Sequence, residues 1–126
     1  MINKLSKKRI FYLIMTIIIA IVIFLVSGIS SFPIIEKTGI DLSIFYHFGV
    51  FFMFAFFLSL TLIDKKLNTR TIIIILLLSL AYAMSDEFHQ LFVVGRFADI
   101  KDVTIDFIGS IYSVLIVKTI EKWKKL

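Results

Sequence analysis

Ser85-Asp86-Glu87-Phe88-His89-Gln90, continuing through Gly95-Arg96 to Asp99, Asp102 and Asp106, is the stretch on which the fold turns. The apolar segment ahead of it, Thr71 to Met84, is too short to cross a bilayer, which takes about 20 residues of helix. Carried on to Leu91 it becomes a full crossing, and five of the nine acidic side chains then lie at or just inside one membrane face. A charge beside hydrocarbon is expensive unless it is paired, hydrated or neutralised, so this group marks a functional region by default.

Reading outward, the stretch falls between two further spans. Ahead of it, Asp64-Lys65-Lys66-Leu67-Asn68-Thr69-Arg70 forms a tight basic turn, preceded by an apolar run from Ser43 to Ile63. Phenylalanines at 45, 48, 51, 52, 54, 56 and 57 cover every face of that run, which reads as bulk rather than as a cofactor box. Its one ionisable side chain before Asp64 is His47. Behind the stretch, a span runs from about Asp102 to Ile120 and ends in Lys118, Lys122, Lys124 and Lys125. At the start of the chain, Lys4, Lys7, Lys8 and Arg9 lead into Ile10 to Val26, closed by Gly28, Ser30, Ser31 and Pro33. A signal peptide is the rival for this first run, but its apolar region would ordinarily be about 7–15 residues. The short connection from Ile34 to Leu42 carries Glu36, Lys37, Gly39 and Asp41.

The expected fold is therefore all-α, a polytopic membrane protein with four transmembrane helices in a small bundle. The spans are about 10–30, 43–63, 71–91 and 102–120, and residues 1–126 form one domain. A hydrophobic content of 60% in 126 residues supports this against a soluble class. Of the 14 Lys and Arg residues, 11 fall on one side of such a bundle with two acids, while the other side receives three with seven acids. The positive-inside rule then places both termini in the cytoplasm, in an integral cell-membrane protein. The net charge of +5 arises from these topology signals, so nucleic acid is not an expected partner. With no Cys there is no disulfide, thiol nucleophile or thiolate metal site. A bundle this small buries little, and a homo-oligomer is an open expectation.

The candidate binding residues are His47, Asp86, Glu87, His89, Gln90, Arg96, Asp102 and Asp106, all expected at similar depth near the outer face. Asp86 with His89, and Glu87 with Gln90, are each three apart and can share a helical face. Asp102, Asp106, Gly109 and Ser113 make one small and polar stripe on the fourth span, and Ser79 with Ala83 a matching seam on the third. Such stripes turn away from lipid, so a close contact between spans three and four is expected, opening into an outward polar pocket. Carboxylates and imidazole there suit a divalent ion, or general acid and base work, and Arg96 suits a phosphate or carboxylate. The spacing matches no metal signature, so no metal ligands, cofactor or catalytic residues are assigned.

Asp86-Glu87-Phe88-His89-Gln90-Leu91-Phe92-Val93-Val94-Gly95-Arg96, followed by Asp102-Val103-Thr104-Ile105-Asp106-Phe107-Ile108-Gly109, resembles the VanZ-like family of small membrane proteins. That family's pattern is Asp-Glu-x-x-Gln, Gly-Arg, then Asp-x-x-x-Asn-x-x-Gly, and His47-Phe48 matches its earlier motif. The resemblance covers about Ser43 to Ser113. Asp106 stands at the usual asparagine position and Val94 at the usual proline, and the lysine often found shortly before the histidine is missing. The resemblance implies a multi-span membrane protein whose founding member is linked to teicoplanin resistance.

The functional expectation is recognition of a membrane lipid, envelope precursor or glycan head group in that pocket, linked to the glycopeptide-antibiotic response. The alternatives are a membrane-embedded metal-assisted hydrolase or transferase, a proton-linked transport subunit, and a non-catalytic assembly partner.

Overall fold

The structure, a computed structural model, describes residues 6–30 and 42–123. The expectations for Lys4, the connection 34–41, Lys124 and Lys125 lie outside the described residues. Four helices account for nearly all of the rest: α1 (Lys7–Ser27), α2 (Leu42–Leu62), α3 (Thr69–Gln90) and α4 (Ile100–Trp123). Each is long and apolar enough to cross a membrane, and no strand occurs among the described residues. Backbone polar groups in lipid must be satisfied within the segment, which helices do without help from neighbours.

The ends of the helices follow local chemistry. Ser6 caps α1 by accepting from the Arg9 N–H at 3.3 Å, and Asn68 caps α3 by accepting from the Thr71 N–H at 2.9 Å. Both side chains take up donors that the first helical turn leaves without partners. The α1 helix stops at Ser27, somewhat earlier than the span expected from sequence, with Gly28 as its cap. At Gly95, between α3 and α4, φ is +80° and an added Cβ would lie 3.0 Å from the Ser30 carbonyl oxygen. Only glycine enters that conformation without steric penalty.

At the centre of the bundle stands α2, packed against all three other helices and most extensively against α4. Phe51, Ala55, Ile75, Ala83 and Ile23 are fully enclosed there, and Tyr82 stacks on Phe54 with ring centres 5.1 Å apart. Small residues allow the closest approaches. An added Cβ at Gly109 would sit 2.5 Å from the Phe48 carbonyl oxygen, so α4 rests directly on the backbone of α2. The expected contact between the third and fourth spans is present, but the stripe Asp106, Gly109 and Ser113 packs on α2 as well. Ser79 and Ala83 of α3 are buried as expected, but the tightest seam lies between α2 and α4.

The outer surface is largely hydrocarbon, with Leu25, Phe45, Leu77, Phe88 and Leu115 among the exposed side chains. A soluble monomer would not present so continuous an apolar surface, whereas lipid covers it at no cost. Much of this surface belongs to α1, which buries only Thr16, Ile23 and Ser27. It is nonetheless tied into the bundle, because the Tyr82 hydroxyl donates to the Ala20 carbonyl at 2.6 Å.

The two ends of the bundle differ in charge. One carries Lys7, Lys8, Arg9, Lys65, Lys66, Arg70, Lys118 and Lys122. Here Arg9 Nε donates to the Thr61 carbonyl at 3.1 Å, and Glu121 accepts from the Leu67 N–H at 3.0 Å, which holds the α2–α3 turn against α4. The opposite end carries the acidic group.

Candidate functional site: a buried acidic cluster

Three helices bring His47, Asp86, Glu87, Gln90, Asp102 and Asp106 together at the acidic end. Asp106, on α4 one turn before Gly109, faces α2 because the glycine lets the two backbones meet. Its Oδ1 accepts from His47 Nδ1–H at 2.9 Å. The other ring nitrogen of His47, Nε2, lies 3.6 Å from Asp102 Oδ2 in the first turn of α4. The imidazole is thus held between two carboxylates spaced four residues apart on one helical face.

The α3 side is built around Gln90. Its side-chain amide donates to Asp86 Oδ2 at 3.1 Å and to Glu87 Oε1 at 3.2 Å, while its carbonyl accepts from Arg96 Nη2 at 2.8 Å and from Arg96 Nε at 3.2 Å. Glutamine alone among the uncharged long side chains presents two donors and an acceptor at one end, which lets it join carboxylates to a guanidinium. Glu87 Oε2 accepts from the Asp99 N–H at 2.7 Å, fixing the loop into α4 to the end of α3. Asp99 in turn accepts from the Lys101 N–H at 2.9 Å, covering a donor at the start of α4.

Exposure separates this cluster from ordinary helix ends. Asp106 is 0%, Gln90 1%, His47 2%, Glu87 5% and Asp86 6% exposed. Five polar side chains enclosed together need mutual satisfaction, since a buried charge left alone costs several kcal/mol. Most of that requirement is met, with one exception: among the described residues, Asp106 Oδ2 is buried without a hydrogen-bond partner. One donor atom each from His47, Glu87 and Asp106 lies within 4.8 Å of the others.

Not every sequence candidate joins the centre. His89 turns toward α1, where its Nδ1 is hydrogen-bonded to Ser27 Oγ at 2.8 Å and its ring stacks on Phe24 at 4.4 Å. It therefore stands beside the cluster, anchored on Ser27, rather than in its centre. Arg96 reaches the cluster through Gln90. Two contributors were not singled out by sequence. Ser27, 3% exposed, looks in sequence like a helix breaker after an apolar run. Tyr46, whose ring stands edge-on to the His47 imidazole at 5.7 Å, looks like an interfacial aromatic, and its position beside His47 was the available signal.

Chemically, the cluster offers hydrogen-bond acceptors for hydroxyl groups, mixed nitrogen and oxygen donors for a cation, and a guanidinium at its rim. Next to it, a groove of about 280 Å³ between α3 and α4 is lined by Met84, Phe88, Ile100 and Val103, with Glu87 and Asp99 at its polar end.

The VanZ/LLP1 family model matches residues 4–121, a range that takes in all four helices except the last two residues of α4. No curated protein and no solved structure matches the chain.

Proposed function

Starting from a chain that belongs to the VanZ/LLP1 family of membrane proteins, we propose that it recognises the polar head group of an envelope lipid or lipid-linked glycan precursor. In this reading both termini are cytoplasmic and the acidic end faces outward, an orientation supported by the distribution of Lys and Arg. The observation that carries it is the meeting of two unlike surfaces at Glu87: a buried hydrogen-bonding cluster, and an apolar groove open to the side of the bundle. Acyl chains suit the groove, and a hydroxyl-rich head group suits the carboxylates, which accept but do not donate. Arg96 supplies the cation for an anionic group, since its planar fork pairs with phosphate. Binding of an envelope precursor would connect the protein to the glycopeptide-antibiotic response.

Mass spectrometry of lipids that remain with the purified protein tests this. The wild type should retain one polar-head-group lipid, lost on Glu87→Gln and on Ile100→Trp, which narrows the groove without entering the core. The same lipid profile in all three proteins would refute the reading.

A further inference from the structure

We infer that His47, Glu87 and Asp106 bind one divalent transition-metal ion, with Zn²⁺ the best match to one imidazole and two carboxylates. The inference concerns the cluster described above but does not require that a lipid be its ligand.

Geometry comes first. His47 Nδ1 and Asp106 Oδ1 are 2.9 Å apart. Ligand atoms about 2.1 Å from a tetrahedral ion are separated by roughly 3.4 Å, so this pair, now at hydrogen-bond distance, needs to open by only about 0.5 Å to admit one. All three donors lie within 4.8 Å of one another, so closing the set on one ion needs shifts of no more than about 1.5 Å. The ion would displace the proton on His47 Nδ1, which passes to solvent from an imidazolium ring or to Nε2 from a neutral one.

The second observation is the state of Asp106. It is completely buried, and its Oδ2 has no hydrogen-bond partner among the described residues, although the same carboxylate pairs with His47 through Oδ1. A buried carboxylate oxygen left without a donor costs free energy that a cation would recover. The surrounding charge points the same way. Asp86, Glu87, Asp102 and Asp106 converge on one volume, and carboxylates gathered this closely favour a cation among them.

The shell around the donors is also organised. With the ion on Nδ1, Nε2–H of His47 points to Asp102 Oδ2, now 3.6 Å away, in the carboxylate–histidine–metal arrangement that fixes ring orientation. Glu87 is held by the Asp99 N–H and by Gln90, and each of its oxygens keeps a second lone pair. Asp102 is accordingly a positioning residue, and its removal should weaken the ion by about 10- to 100-fold rather than abolish binding.

The test uses the full chain in detergent, stripped with a chelator and dialysed separately against Zn²⁺, Mn²⁺ and Mg²⁺. Elemental analysis should find about one Zn²⁺ per chain, Mn²⁺ bound more weakly and Mg²⁺ not retained. Glu87→Gln and Asp106→Asn, which keep side-chain volume, should each lose the ion. His89→Gln should keep it, and Zn²⁺ should raise the melting temperature of the wild type but not of Glu87→Gln. Failure of the wild type to bind any of the three ions, or undiminished binding in both Glu87→Gln and Asp106→Asn, overturns the inference. A wild type that retains its lipid but binds no ion would sink the metal site alone, and one that binds the ion but retains no lipid would sink the head-group reading alone.

Discussion

Replacing Gly109 with Ala should separate α4 from α2 and undo the centre of the cluster. The new Cβ would lie 2.5 Å from the Phe48 carbonyl oxygen and 3.3 Å from the Phe48 Cα and carbonyl carbon, all of them backbone atoms that no rotamer change can move. Reaching ordinary contact needs the helices to part by roughly 0.9 Å at this point. One turn away, the 2.9 Å bond between His47 and Asp106 would stretch to about 3.8 Å, beyond hydrogen-bond range. Overpacking costs about 1–3 kcal/mol and loss of a charged hydrogen bond about 1.5–3 kcal/mol, while alanine returns about 0.5–1 kcal/mol of helix propensity. The net loss is about 2–5 kcal/mol, a large part of the stability of a small domain. Thermal or denaturant unfolding in one detergent, followed by circular dichroism, reads it directly. Gly49→Ala is the matched control: nothing lies within 4 Å of its added Cβ, so it should be neutral or stabilising by up to about 1 kcal/mol. Equal stability of Gly109→Ala and wild type, or equal losses at the two glycines, would refute the close α2–α4 seam.

Tyr82→Phe removes the hydroxyl that donates to the Ala20 carbonyl while keeping the ring stacked on Phe54. It should cost about 0.5–1.5 kcal/mol and speed amide exchange in α1 more than in α4; uniform exchange changes would contradict the pinning of α1 by this contact. Because the chain lacks Cys, single cysteines report sidedness cleanly. Phe97→Cys, 86% exposed at the acidic end, should react with an impermeant maleimide in whole cells, and Lys65→Cys only after lysis. The reverse pattern would invert the proposed orientation.

How far the sequence disclosed this arrangement depended on what each residue type can signal. Span positions were legible because hydrocarbon dictates length and composition, and the α3 extension through Asp86 to Gln90 follows from the minimum crossing length. The convergence of His47, Asp86, Glu87 and Asp106 was legible for the same reason, since acids and imidazole in separate spans have few ways to avoid lipid. What stayed hidden was the packing partner of α4. With phenylalanines around its whole circumference, α2 shows no apolar face, and only His47 marks the side that meets Asp106. Ser27 was hidden because a serine after an apolar run reads as punctuation, whereas its partner His89 is 62 residues away. The indirect attachment of Arg96 through Gln90 depends on the turn at Gly95, which sequence spacing leaves undetermined.

A double-mutant cycle between His47 and Asp106 probes the cluster most directly. His47→Asn, Asp106→Asn and the double variant would be unfolded under identical conditions in detergent. A coupling energy of about 1.5 kcal/mol or more is expected for a buried, charge-assisted pair at this distance. Single losses that add to within about 0.5 kcal/mol in the double variant would contradict the pairing, and with it the buried cluster on which the functional reading rests.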